Sequence, residues 1–167
     1  MQQVSHIKTP AREDVPHILK LFSAQDTHHY AADPTYYIVA NNPQRIENLT
    51  KDILEAICEK QSPKKIAVAH AQEELISVVT YEIGKNSYHD TRITKFVEIK
   101  ELFVQETERG QGVATDLVNH VKNFAKEYKI FWLKADYTPF NKEAVAFWTK
   151  MKFIPRQISS YYSLSNY

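Results

Sequence analysis

Glycine is scarce in this chain: three of 167 residues, well below the usual share of about 7%. Where it occurs it therefore asks for a reason. Cysteine is scarcer still. Cys58 stands alone, which excludes an internal disulfide. It falls in an apolar helical pattern and is expected to be a small core residue. No histidine partner or exposed helix start lies near it in sequence to activate it as a nucleophile. Long apolar runs are absent, so no membrane span or membrane partner is expected. The opening stretch MQQVSHIKTPARED lacks the apolar segment of a secretory leader, and a cytoplasmic location is the expectation. An excess of one charge is missing too. Twenty-one basic side chains meet twenty acidic ones, for a formal charge of +1. No global field calls for nucleic acid. The densest basic cluster, Lys60 to Lys65, reads as a solvated loop.

Aromatic residues are plentiful, with ten Tyr, eight Phe and two Trp. Disorder is not expected over most of the length. The length fits a single domain, residues 1–167, able to bury a core without metal or disulfide. No internal repeat, low-complexity segment or linker interrupts it.

Hydrophobic period gives the element order. Val4–Lys8 reads as a short strand. A helix follows with Val15, Ile18, Leu19 and Phe22 on one face. Residues 26–42, DTHHYAADPTYYIVANN, show no clean period and read as an irregular, aromatic binding loop. A second helix spans about Pro43 to Lys60, with Ile46, Leu49, Ile53 and Ile57 aligned. KIAVAHA and LISVVTYEI form a hairpin across Gln72-Glu73-Glu74. A long strand runs from Ile93 to Val104. Gly112 opens a helix to about Tyr128, with His120 on its polar, solvent-facing side. A strand at Ile130–Ala135, a helix at Asn141–Met151 and one or two closing strands in KFIPRQISSYYSL complete the chain. The strand–helix–strand unit at 93–135 requires a parallel pair, and the middle hairpins are antiparallel. The fold class is therefore α/β (α+β): one mixed, mostly antiparallel sheet flanked by about four helices.

Two of the three glycines stand one residue apart in RGQGVATDL, Arg109 to Leu117, where a strand turns into a helix. The first turn of a helix leaves its N–H groups unpaired, and its dipole favours anions. Glycine clears the approach, while Arg109 and Gln111 add donors suited to phosphate oxygens. The stretch is neither a Walker loop nor a full dinucleotide fingerprint. By itself it fits either a backbone cradle for pyrophosphate or a tight turn with a surface arginine. A nucleotide-binding protein of another class would use the same turn, but those two motifs are missing.

RGQGVA fits the Q/R-x-x-G-x-G/A signature of the GNAT superfamily of N-acetyltransferases, with Ala114 at the last position. IKTPAREDVPHILKL is similar to that family's first strand and helix. IKELFVQETERGQGVATDLVNHV is similar to its coenzyme-binding strand, turn and helix, and NKEAVAFWTKMKF to its later motif. Lys152 departs from the pattern, standing where relatives usually carry glycine before the closing Phe153. The resemblance implies acetyl-CoA as co-substrate and no metal. The N–H groups of Arg109, Gly110, Gln111, Gly112, Val113 and Ala114 would hold the pyrophosphate. The strand edge at Leu102, Phe103 and Val104 would bind the pantetheine arm as an added strand does. That arm would lie in a gap where the central parallel strands splay, between Val104 and the strand Phe131–Ala135. Asn141 would reach the arm from the next helix, and Trp148 would pack on it.

Amine acetylation needs a base, because an ammonium of pKa about 10.4 is almost wholly protonated at neutral pH. Glu98, mid-strand and eleven residues before Arg109, has the spacing of the glutamate base of the histone-type members. Glu101 is the second candidate. The two have opposite strand parity and face opposite sides unless a bulge intervenes; either could equally be an exposed strand carboxylate paired to Lys95 or Lys100. Many relatives place a tyrosine acid where this chain has Trp148, and indole is no acid near neutral pH. Tyr137, Tyr161 and Tyr162 are the substitutes available. A backbone N–H near Val104 would polarise the carbonyl.

His28, His29, Tyr30 and Tyr36 would form an aromatic acceptor wall. A metal there would need a third ligand at fitting spacing, and none is seen. The acceptor would be an amine, small or on a protein or peptide, taking the acetyl group by direct transfer in a ternary complex. A non-catalytic acyl-CoA sensor on the same fold is the alternative. The resemblance also leaves room for a homodimer through the aromatic C-terminal tail.

Overall fold

The computed structural model describes residues 7–87 and 90–161. They divide into two compact units, residues 1–136 and 137–167.

The first unit is built on a four-stranded sheet in the order β1-β2-β3-β4. β1 is Lys64–Ala71, β2 Glu74–Lys85, β3 Lys95–Val104 and β4 Leu133–Ala135. β1, β2 and β3 run antiparallel, and β4 lies parallel to β3. The mixed sheet with a parallel pair is thus as the sequence pattern predicts. Three helices cover it: α1 Val15–Ala32, α2 Pro43–Cys58 and α3 Val113–Glu127. Of the expected strand Val4–Lys8, residues 4–6 lie outside the described residues. Lys8 exchanges both backbone hydrogen bonds with Val68, at 3.0 and 2.9 Å, on the outer edge of β1.

The core forms on both faces of the sheet. α1 and α2 bury Ile18, Phe22 and Ile53 against Ile66, Val68 and Phe103. α3 covers the other face, where Val113 packs on Ala69, Ile76 and Val104. Phe22 is fully buried, and truncating it to alanine would cost about 3–5 kcal/mol.

Four expectations are corrected. The stretch 26–42 is not irregular from its start, because α1 continues through His28, His29 and Tyr30 to Ala32. It stops at Asp33, since the residue before Pro34 is disfavoured in the helical region. Cys58 is exposed rather than in the core, because it is the last residue of α2 and the apolar stripe has turned away. His120 is half-buried rather than solvent-facing, with Nε2 3.2 Å from the Tyr81 hydroxyl. The tail forms no strand between Lys152 and Tyr161; Tyr162 and the residues after it lie outside the described range.

The second unit holds α4, Lys142–Lys150. Asn141 caps it, Oδ1 accepting from the Ala144 N–H at 3.0 Å. Beyond Met151, the Lys152 N–H donates to the Thr149 carbonyl and the Phe153 N–H to the Trp148 carbonyl, both at 3.0 Å. This is a Schellman ending, with the Trp148 and Phe153 rings 4.7 Å apart. Lys152 takes the left-handed position, φ 67°.

Candidate active site

The strand–turn–helix at residues 95–127 builds the first part of the site. β4 pairs with β3 only at Val97, Glu98 and Ile99, so among the described residues β3 continues to Val104 without a strand partner on that side. The Gln105 N–H bonds to the Ile76 carbonyl. Antiparallel alternation then aims the peptide groups of Leu102 and Val104 away from β2, into the open edge. Phe103, by the same alternation, points its peptide groups back at β2.

Beyond the strand, a single turn at Glu106–Glu108 leads to Gly110 and Gly112, with φ of 77° and 93°. Both lie in the left-handed region that glycine tolerates best. A Cβ built on either meets nothing within 4 Å, so the space beside them is open. Gly112 is the N-cap of α3, and no side chain caps it. The N–H groups of Val113 and Ala114 therefore lie in an uncapped first turn, where the dipole is positive. These residues fit an anionic group presented to backbone donors. Arg109 turns inward: Nε donates to the Val104 carbonyl at 3.2 Å and the guanidinium lies 5.6 Å from the Phe103 ring centre. Gln111 is held by Glu108, Nε2 to Oε2 at 3.2 Å.

A bulge in β3 decides where the two carboxylates point. Glu98 lies opposite Glu82 and Glu101 opposite Thr80, with Lys100 as the additional residue. Directly opposed residues share a face, and Thr80 and Glu82 are two apart. Glu98 and Glu101 therefore face the same side, toward α1 and α2. Their surroundings differ. Lys134 Nζ stands 2.7 Å from Glu98 Oε1 and Lys100 Nζ 3.4 Å from Oε2. Glu101 accepts from Gln25 Nε2 at 2.7 Å and from Arg45 Nη2 at 3.2 Å. Burial pushes its carboxyl above the ordinary carboxylate range; the Arg45 charge and the two hydrogen bonds pull the other way without cancelling it.

Local chemistry places these partners. Asn42 caps α2 with its side chain on the Arg45 N–H at 3.1 Å, and Pro43 opens the helix. Arg45 then reaches Asp26 through Nε and Nη2, each 2.6 Å from a carboxylate oxygen, as well as Glu101. Gln25 and Asp26 are both buried. They extend the stripe of Ile18 and Phe22 by helical spacing, two polar residues at core positions of α1.

The aromatic wall forms next to this cluster. Asp33 Oδ1 accepts from the N–H and hydroxyl of Thr35, at 3.2 and 2.7 Å. The turn folds Tyr37 back onto His29, with ring centres 4.8 Å apart, and Tyr36 meets Tyr37 edge-on. Burial lowers the His29 pKa. Burial raises that of Tyr37, helped by the charges of Asp33 and Glu101. Tyr30 and Tyr36 are exposed and His28 is half-buried.

Beside Glu101, between α2 and the sheet, lies a cavity of about 420 Å³ whose lining includes Ile38, Arg45, Leu49 and Glu101. The first unit thus brings together the glycine turn, the open β3 edge, Glu101 and His29. Tyr137, Asn141 and Trp148 lie in the second unit, where Trp148 is buried among Tyr137, Phe147 and Phe153. Among the described residues no three metal-ligating side chains converge, and no helix is long and apolar enough to cross a membrane.

Residues 19–153 match the model of the acetyltransferase (GNAT) family, and the chain belongs to that family. The fold is shared with solved structures of low sequence identity. The tetramutant of the BH1408 protein from Bacillus halodurans gives a TM-score of 0.81 at 15% identity, over 96% of this chain and 100% of that one. The aminoglycoside N-acetyltransferase AAC(6')-Iy in complex with CoA gives 0.71 at 15%, over 96% and 95%. An aminoglycoside acetyltransferase from an uncultured soil metagenomic sample, in complex with sisomicin, gives 0.63 at 17%, over 96% of each chain. No curated protein matched the sequence.

Proposed function

We propose that this chain is an acetyl-CoA-dependent N-acetyltransferase that moves an acetyl group directly to a primary amine in a ternary complex. The observation that carries the reading is an uncapped, glycine-cleared helix start beside an open strand edge, with a half-buried carboxylate, Glu101, three residues before that edge ends. The coenzyme supplies the acetyl group as a thioester. The first-turn N–H groups of α3 bind its pyrophosphate, and the outward peptide groups of Leu102 and Val104 hold its arm. The Val104 N–H orients the acyl oxygen.

Glu101, ahead of Glu98, takes the proton from the acceptor ammonium. Its burial raises its proton affinity toward that of a useful base, whereas Glu98 is engaged in ion pairs with Lys100 and Lys134. Asp26 and Arg45 fix Glu101 in place. His29, Tyr36 and Tyr37 wall the acceptor side, joined by Tyr30 and His28. The aminoglycoside enzymes among the structural neighbours favour a small-molecule amine over a protein one.

The test is calorimetric titration with acetyl-CoA, with ATP and NAD as controls, followed by CoA release with a panel of amines. Saturable binding of acetyl-CoA alone is expected, with amine-dependent turnover. One observation favours a second reading, a non-catalytic acyl-CoA sensor: Trp148 occupies the position of the tyrosine acid of many relatives. Binding without CoA release for any amine would select it.

A further inference from the structure

The cavity beside Glu101 limits what kind of amine can enter. This step rests on the acetyl-transfer reading for where the amine nitrogen sits. At about 420 Å³ the cavity is at the small end of ligand pockets, which run to about 1,000 Å³.

Its charges are already spent on one another. Of the lining cations, Arg45 holds Asp26 and Glu101. Lys64 holds Asp52 and Glu55 at 2.8 and 2.7 Å. Lys100 lies between Glu82 and Glu98. Lys65 ties its ammonium to the carbonyls of Lys60 and Ser62. Each lining carboxylate, Asp52, Glu82 and Glu101, is a partner in one of these pairs. A ligand carrying a carboxylate, a phosphate or a second ammonium would have to break a pair or be left without one, and both are costly in a partly desolvated site.

What stays available beside the uncharged Gln44, Asn48 and Thr80 is an apolar floor. Ile38, Leu49 and Ala56 line the cavity above the buried Phe22 and Ile53. Ile38, which lines the cavity, is 51% exposed and presents its apolar side chain to an entering ligand. We infer that the acceptor is a monoamine with a small apolar body, its nitrogen at Glu101 and its body against Ile38 and Leu49 in this cavity.

A series of n-alkylamines tests this, because the ammonium chemistry hardly changes along it while apolar length grows. From ethylamine to hexylamine, kcat/KM is expected to rise about fourfold per methylene that enters the cavity. Hexylamine should exceed spermidine and kanamycin by at least about tenfold. Ile38→Asp, at a half-exposed position that folding tolerates, should flatten the series. A flat series in the wild type, or a preference for the polycations, overturns the inference and leaves the acetyl-transfer reading standing. Calorimetric titration with hexylamine reads the cavity without turnover. If no amine is acetylated the transferase reading fails, and saturable binding lost in Ile38→Asp still supports the apolar site. In that case no saturable binding overturns it.

Discussion

Glu101 Oε2 accepts a hydrogen bond of 2.7 Å from Gln25 Nε2, joining the middle of α1 to β3 seventy-six residues later in sequence. This contact, with Arg45 on the other oxygen, holds Glu101 between an amide and a guanidinium, whereas Glu98 faces two lysine ammoniums. Glu101→Gln keeps the shape and removes the base. We expect kcat/KM to fall about 10²- to 10³-fold with acetyl-CoA affinity retained. Glu98→Gln should cost far less. Steady-state CoA release for the two variants decides between the carboxylates, and a larger loss in Glu98→Gln would reverse their roles.

The acid limb of the kcat/KM profile should follow from the same burial. Glu101 must be ionised to accept a proton, and its pKa lies above the ordinary range because desolvation outweighs Arg45. Activity is therefore lost as pH falls through that raised value, not through the usual carboxylate value. Arg45→Gln removes the cation that pulls the pKa down, so the limb should move to still higher pH. Arg45→Lys should return it part of the way. Profiles for two amines of different pKa separate this limb from titration of the acceptor, because only the acceptor's own limb shifts between them.

Much of this site could be read from residues close in sequence. The turn RGQGVA joins a long strand to an amphipathic helix, and the structure has it there, with both glycines at positive φ. The bulge that realigns Glu98 and Glu101 left only a conditional trace, since parity alone puts them on opposite faces. Gln25, Asp26 and Arg45 were not legible, because their roles arise from contacts nineteen to seventy-six residues apart. One signal was present: Gln25 and Asp26 fall seven and eight residues after Ile18, polar residues on an apolar stripe. It was hidden because DTHHYAA has no period of its own, although tertiary packing carries α1 through it. The short β4 was overestimated for a related reason. Phe131 and Trp132 have strand propensity, yet both are exposed, and only the Trp132 carbonyl reaches β3, accepting from the Val97 N–H at 2.9 Å.

Gly112→Asp is expected to weaken acetyl-CoA binding by about tenfold or more. The carboxylate would stand at the positive end of α3, in the space that is open next to Gly112. Backbone strain contributes separately, since φ is 93°. Gly112→Ala carries the strain without the charge, at about 1 kcal/mol of stability. Calorimetry and melting curves on both variants separate the two effects. Unchanged affinity in Gly112→Asp would remove the loop from the coenzyme site.

The glycine shortage has its own consequence at two helix ends, where a lysine takes the left-handed position. α3 ends as α4 does: the Lys129 N–H bonds to the Lys126 carbonyl at 3.0 Å and the Ile130 N–H to the Ala125 carbonyl at 2.8 Å. The left-handed residue is Lys129 in one case and Lys152 in the other, at φ of 55° and 67°. A side chain there costs about 1–2 kcal/mol, and glycine returns part of that gain through the greater entropy of the unfolded chain. Lys129→Gly and Lys152→Gly should each therefore stabilise by about 0.5–1 kcal/mol, or about 1–4 °C in melting temperature for a chain of this length. Thermal melts of the two variants check it. A lower melting temperature in either would mean that its lysine side chain contributes more through its own contacts than the left-handed backbone costs.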